Sequence, residues 1–441
     1  MTGNDYLLFT PTSRNTVKLA RLWLYNAVFA LGVAGLFALP SVCLRNSFFK
    51  KLLDVDHIFA VALIVHVNMS VLIWLVSVCC LVFSLRSDVK LNFFSMGAAY
   101  LSSFGTILIA VSPFIAESVP YTNNYIPILG NIWFMLGIAC FAAGALLQSV
   151  ICLCSFRFSW KFDDNFARSS AAYSTAVIIL IGFLCFALSA RELKNSGLEP
   201  KDYYENLFWA GGHILQFAYI QMMIFVWLWV GRVESKPWQP IFIYSFALAM
   251  VIAAPFIYLE YPVNSPEFVD FFTRQMQYGL GTAPLAAGIV LLFSSRKARV
   301  TAPEKNAIVF SLLLFIAGGI IGFMIQGSNA IIPAHYHGSI VAVTLSFMAL
   351  VYDILPRLGF KKTLGKIAAW QPIIYGTGQL MHISGLAIMG GYGALRKAAG
   401  SSAAVDTIVG KSLFFSGGGL AIIGGFLFVF VAVKAIVEKN V

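Results

Sequence analysis

Ile332-Pro333-Ala334-His335-Tyr336-His337-Gly338 opens an apolar helix that runs to about Tyr352. Successive residues of an α-helix are rotated by about 100°, so His335 and His337 point roughly 200° apart. They face two neighbourhoods on opposite sides of one helix. Neutral imidazole is a common metal ligand, and an ionisable residue inside a membrane marks a functional site by default. One reading makes this helix the support of two hemes, one on each side. The plainer alternative has both rings hydrogen-bonded to adjacent helices.

The surrounding chain shows what medium this helix occupies. Of 441 residues, 59% are hydrophobic and 11% charged, and the mean hydropathy is +0.82. A soluble domain carries about 25% charged residues. The composition excludes a soluble enzyme with one anchor and predicts an all-α polytopic membrane protein. Twelve spans are expected, at 17–40, 58–84, 92–114, 127–154, 170–190, 206–231, 238–259, 278–294, 306–326, 333–353, 368–390 and 412–435. Each is near the ~20 apolar residues that cross the hydrocarbon layer. Their even spacing predicts a single domain over 1–441. The first twelve residues are polar and lack the charged-then-apolar layout of a cleavable signal peptide.

Basic residues give the orientation. With the N-terminus inside, inner segments hold twenty of the 30 Lys and Arg residues, among them Arg86, Arg168, Arg232, Lys236, Arg357 and Lys361. This bias predicts both termini in the cytoplasm. It also accounts for the formal net charge of +11. A nucleic-acid partner would need that charge on one exposed face, so none is expected; the partner in view is the lipid bilayer.

The seven cysteines lie within or at the ends of spans, without the Cys-x-x-Cys-His of covalent heme attachment, and read as packing. Gly318-x-x-x-Gly322 and the glycines at 417, 418, 419, 424 and 425 read as sites of close helix approach.

Six histidines occur, His57, His66, His213, His335, His337 and His382. With the orientation above, His66 lies about two turns into span 2, His213 about two turns into span 6, and His335 and His337 at the start of span 10. All three spans enter from the outer side. Four histidines on three distant helices are thus expected at one depth, in the outer half of the membrane, which points to metal or heme ligation. His57, beside Asp56, reads as a surface or propionate-side residue, and His382 as core packing.

Three of these segments resemble subunit I of the heme-copper oxidase superfamily, which includes cytochrome c oxidases and the large subunit of bacterial nitric oxide reductases. Val65-His66-Val67-Asn68-Met69 is similar to the second-helix motif, Phe208-Trp209-Ala210-Gly211-Gly212-His213 to the sixth-helix motif, and Ala334-His335-Tyr336-His337 to the tenth-helix motif. The resemblance covers essentially the whole chain and implies twelve helices with redox centres toward the outer side. It implies that His66 and His337 hold a low-spin heme, that His335 holds a high-spin heme, both of b type, and that His213 binds a non-heme iron or copper. Asn123-Asn124-Tyr125-Ile126-Pro127 resembles an outer loop of the nitric oxide reductase-like branch. Phe272-Thr273 and Met381-His382-x-x-Gly385-Leu386 carry weaker likeness. Arg396 and Lys397 form an outer basic pair able to hold heme propionates, or a solvated pair.

The chain also departs from the pattern. The family's adjacent histidine pair after span 7 is missing; the stretch reads Ala254-Pro255-Phe256-Ile257-Tyr258-Leu259-Glu260-Tyr261-Pro262. Glu260, or Glu267 further on, offers a carboxylate in its place, a hard ligand suited to iron; the alternative is that no second metal is held. The active-site tyrosine of the main oxidase branch falls on Phe217. Gln216 and Tyr219 are the nearby polar residues, with Tyr258 a candidate from span 7. Span 8 carries Thr282 and no lysine, so proton pumping is not expected.

The resemblance therefore implies an oxidoreductase: the catalytic subunit of a respiratory membrane reductase in a bacterial inner membrane. It would reduce NO, or alternatively O2, and be fed by a small donor subunit, a cytochrome c or a cupredoxin. A non-catalytic diheme electron carrier or NO-binding protein is a second class. A twelve-helix transporter is a third, and leaves the shared histidine depth unexplained.

Overall fold

Backbone amides find no water in a hydrocarbon layer, so the apolar runs close their hydrogen bonds internally as helices. The computed structural model describes residues 13–44, 55–156, 163–295, 299–394 and 407–438. Among them the α-helices are α1 (Arg14–Cys43), α2 (Val55–Val67), α3 (Trp74–Ser84), α4 (Asn92–Ile115), α5 (Ile132–Cys154), α6 (Asp164–Glu192) and α7 (Pro200–Val230). There follow α8 (Trp238–Ile252), α9 (Pro266–Arg274), α10 (Thr282–Phe293), α11 (Ala302–Gly322), α12 (Ile331–Arg357), α13 (Lys366–Gly391) and α14 (Ile408–Val437). One two-stranded antiparallel hairpin pairs β1 (Pro120–Tyr121) with β2 (Ile128–Leu129).

The protein is an integral multi-pass membrane protein. Among the described residues, eleven helices are long and apolar enough to cross a membrane. They coincide with eleven of the expected spans. The remaining span, 368–390, forms as α13, but its five glycines and Gln371, Gln379 and His382 dilute its hydropathy. Expected span 8 begins earlier than its sequence signal, because α9 and a π turn (Gln275–Gly279) lead into α10. Span 7 ends differently as well: α8 stops at Ile252 and Pro255 starts a 3-10 segment over Ala254–Leu259, since proline cannot donate to a preceding helical turn.

The chain divides into two compact units. The first comprises residues 1–27 and 72–297, the second residues 28–71 and 298–441. In the first, α4 lies against α5 and α6 against α7 at glycine contacts. A Cβ on Gly105 would stand 2.5 Å from Gly137 O, so only hydrogen fits there. In the second, α11 meets α12 where a Cβ on Gly338 would stand 2.5 Å from Gly318 Cα. Small residues thus let backbones touch where no hydrophobic drive separates protein from lipid tails. Some polar side chains join helices by hydrogen bonds. Tyr352 Oη donates to Gln371 Oε1 (2.7 Å), and Gln371 Nε2 donates to Gly424 O (3.0 Å). All seven cysteines are free thiols.

Candidate functional site

His66, His335, His337 and His382 belong to the second unit, and His213 to the first. In the second unit each of the four rings is fixed through Nδ1 to a backbone carbonyl. His66 Nδ1 donates to Ala34 O of α1 (2.9 Å), His335 Nδ1 to Gly318 O of α11 (2.7 Å), His337 Nδ1 to Pro333 O of its own helix (2.8 Å) and His382 Nδ1 to Phe414 O of α14 (3.0 Å). A carbonyl oxygen only accepts, so Nδ1 must carry the proton. In the neutral ring Nε2 is then the nitrogen with the lone pair. This second-contact hydrogen bond is the usual way a ligating imidazole is held in tautomer and orientation.

The angular argument from the sequence has a direct counterpart here. His335 turns toward α11, where a Cβ on Gly322 would meet its Nδ1 at 2.6 Å. His337 turns toward α13, with its ring centroid 5.3 Å from that of His382. One helix presents two imidazoles to two different neighbours. His66, His335 and His337 each remain partly accessible although their helices are apolar. His382 is buried beside Phe414, ring to ring at 4.6 Å. Gly418 faces the same imidazole; a Cβ there would lie 3.2 Å from His382 Nδ1.

The turn after His66 is widened. Residues Asn68–Ile73 form a π turn between α2 and α3. Side chains of the turn reach back to carbonyls of α2: Ser70 Oγ donates to His66 O (2.6 Å) and Asn68 Nδ2 to Ile64 O (2.9 Å). Such π turns occur frequently at functional sites. The polar residues of Val65-His66-Val67-Asn68-Met69 thus support the backbone around the histidine.

In the first unit His213 is buried and uses both nitrogens. Nδ1 donates to Trp209 O (2.7 Å), so Nε2 accepts from Tyr125 Oη (2.8 Å). Tyr125 comes from the loop between β1 and β2. Asn123 Oδ1 accepts from the backbone of Tyr125 and Ile126, and its Nδ2 donates to Ile126 O. Asn124 is fastened to Glu205 of α7 by backbone and side chain. Both glycines of the sixth-helix motif make room. A Cβ on Gly212 would strike the Tyr125 ring at 2.3 Å, and one on Gly211 the Phe186 ring at 2.3 Å. Phe272 closes the other side of His213 at 6.1 Å, and Phe268 separates Phe272 from Tyr258, at 5.0 Å from each.

The remaining candidates lie as follows. Gln216 is half-buried and Tyr219 buried on α7, and neither is a partner of His213. Glu260 is exposed at the end of the 3-10 segment. Tyr258 Oη donates to Cys185 O (2.9 Å). His57 is exposed. Arg396 and Lys397 lie outside the described residues. No group of three His, Cys, Asp or Glu able to hold a metal forms among the described residues. Tyr125, quoted in the sequence only as part of the outer-loop stretch Asn123-Asn124-Tyr125-Ile126-Pro127, is the partner of His213 that the sequence reading did not pair with it. The Gly211-Gly212 pair was its signal, because two glycines before a buried histidine require close neighbours.

The donor chemistry can be tested against the groups the resemblance implies. Hemes fit: His66, His335 and His337 have Nδ1 committed to a carbonyl and the ring held in one tautomer. A second, non-heme metal does not fit at His213, whose accepting nitrogen is taken by Tyr125.

No protein-family model matches the sequence. The chain is 31% identical to an uncharacterized protein of Rickettsia prowazekii (strain Madrid E), over 96% of this chain and 97% of that one. It is 26% identical to an uncharacterized protein of Aquifex aeolicus (strain VF5), over 80% of this chain and 88% of that one. Its fold matches that of a heme-copper terminal oxidase studied as a dimer by cryo-EM. The TM-score is 0.64 with 14% identity, over 99% of this chain and 84% of the oxidase chain. The molecule is thus a polytopic helical membrane protein with a heme-copper oxidase-like fold. It belongs to the family of the Rickettsia prowazekii protein.

Proposed function

We propose that this chain is the heme-bearing catalytic subunit of a respiratory membrane reductase of the heme-copper oxidase superfamily, with twelve crossings and both termini cytoplasmic. The observation that carries the reading is the set of three partly accessible imidazoles, each fixed through Nδ1, on a fold shared with a terminal oxidase. His66 and His337 would hold a low-spin heme and His335 a high-spin heme. Bound heme would supply one-electron redox chemistry and an iron able to take a diatomic ligand.

The protein's own part is to orient and to move protons. Ala34 O, Gly318 O and Pro333 O fix the three rings. Tyr125 Oη holds a proton against His213 Nε2. Reduction of two NO to N2O and water takes two electrons and two protons, and needs neither a second metal nor an electron from tyrosine. The hydrogen bond from Tyr125 to His213 Nε2, which leaves that ring no lone pair for a second metal, therefore favours NO as substrate. Oxygen is the second reading, favoured by one observation: a phenol already hydrogen-bonded to the sixth-helix histidine could supply an electron and a proton to a four-electron reduction. A small cytochrome c-type or copper-containing subunit in a bacterial inner membrane would deliver electrons.

Gas consumption by the purified protein under a chemical reductant tests this. Anaerobic loss of NO with matching N2O supports the first reading, and loss of O2 the second. Consumption of neither gas by heme-loaded protein would overturn both and leave an electron carrier.

A further inference from the structure

His382 sits on α13 in the second unit and is 7% exposed. An imidazole buried to that degree gives up its water, and costs more than an apolar side chain of similar size unless its polar atoms are met. The second unit provides a niche for it. Nδ1 donates to Phe414 O of α14 (3.0 Å), and the Phe414 ring lies 4.6 Å from the imidazole. Glycines bring α13 and α14 into backbone contact a turn to either side. A Cβ on Gly378 would stand 2.5 Å from Ala421 N, and one on Gly385 2.4 Å from Phe414 N. Gly417 lies against His382 itself, where a Cβ would stand 2.4 Å from His382 N. Small residues let membrane helices approach this closely, and the approach fixes the height of the ring between the two helices.

The same ring meets His337 of α12, centroid to centroid at 5.3 Å and tilted by 52°. That separation is in the range of paired aromatic rings. The three imidazoles assigned to heme differ in their anchors. His66 is bonded to α1 at Ala34 O and His335 to α11 at Gly318 O, so a second helix fixes each ring. His337 is bonded to its own helix, at Pro333 O. A bond within one helix selects the tautomer. The tie to a second helix comes through the His382 ring, and His382 is bonded onward to α14. From Phe414 O through His382 to His337, three helices are connected in series.

We propose that His382 is a positioning residue for His337: it fixes the plane of that imidazole, and with it the ligand field of the low-spin heme that His337 would hold. The inference rests on His337 being a heme ligand, as proposed for this chain. Residues in contact with a ligating imidazole orient it and tune its metal, and the surroundings of an axial ligand are among the levers a protein has over heme. A rotated imidazole plane changes how the iron d orbitals split, so it alters the low-spin signal without altering the ligand set.

The test is electron paramagnetic resonance of the oxidised full-length protein, with a redox titration of the low-spin band beside it. His382→Leu fills the niche with neither ring nor donor. Heme content and the carbon monoxide response should stay at the wild-type level, while the largest low-spin g value moves by more than the wild-type linewidth and the low-spin midpoint potential shifts with it. His382→Phe, which returns a ring, should bring both readouts closer to wild type. Gly418→Ala presses on the ring from α14, since a Cβ there would lie 3.2 Å from His382 Nδ1. It should move the same signal, and it carries the test should His382→Leu not fold. An unmoved low-spin signal in these variants would overturn the proposal. A change shared equally by the low-spin and high-spin signals would overturn it too, and make His382 a packing residue. Wild-type protein without heme would instead defeat the functional reading itself.

Discussion

Tyr125 Oη donates to His213 Nε2 at 2.8 Å, and this bond occupies the one lone pair that His213 has to offer. The arrangement ties the loop of the β1–β2 hairpin to the middle of α7. Tyr125→Phe keeps the ring and removes the donor, leaving a buried acceptor unmet at a cost of about 1–3 kcal/mol. The expected result is an earlier thermal unfolding transition in detergent. An unchanged transition would mean that the bond is not formed.

The same bond makes a prediction about metal content. Iron per chain should equal heme iron, with no additional iron or copper, when elemental analysis is set beside a heme assay. A stoichiometric extra metal would show that His213 turns away from Tyr125 in the functional protein.

Gly322 sets the position of His335. A Cβ at residue 322 would stand 2.6 Å from His335 Nδ1, the atom that donates to Gly318 O. Gly322→Ala should therefore displace the ring, with an overpacking cost of about 1–3 kcal/mol. Carbon monoxide binding should weaken while the low-spin signal persists. Equal loss of both signals would point to general misfolding instead.

At the end of α14, Lys361 Nζ donates to Glu438 Oε2 at 2.8 Å, and this bond holds the Glu438 carboxyl below its ordinary range. A depressed folded pKa contributes stability above the unfolded value of about 4.3, and that contribution is lost as pH falls through the folded value. Hydrogen exchange should show the last turn of α14 opening more readily in acid. Glu438→Gln should remove that dependence.

Much of the fold was legible because apolar length is a strong signal in a hydrocarbon medium. The 100° rotation between helical residues also placed His335 and His337 toward different neighbours, α11 and α13. Span 368–390 was legible too and forms as α13, although its glycines serve helix contact at the expense of hydropathy. The widened turn after His66 was not legible, because nothing in Asn68-Met69-Ser70 separates a π turn from an α-turn. Nor was the pairing of Tyr125 with His213, which joins residues 88 apart in sequence. Long-range pairing of that kind leaves only indirect marks, here Gly211 and Gly212.

The measurement that bears most directly on the account is a reduced-minus-oxidised optical spectrum of the purified protein, repeated under carbon monoxide. The account predicts a low-spin band together with a separate band that responds to carbon monoxide. His66→Ala should remove the first band, and His335→Ala the second. A protein without heme absorbance, or one whose single band ignores carbon monoxide, would contradict it.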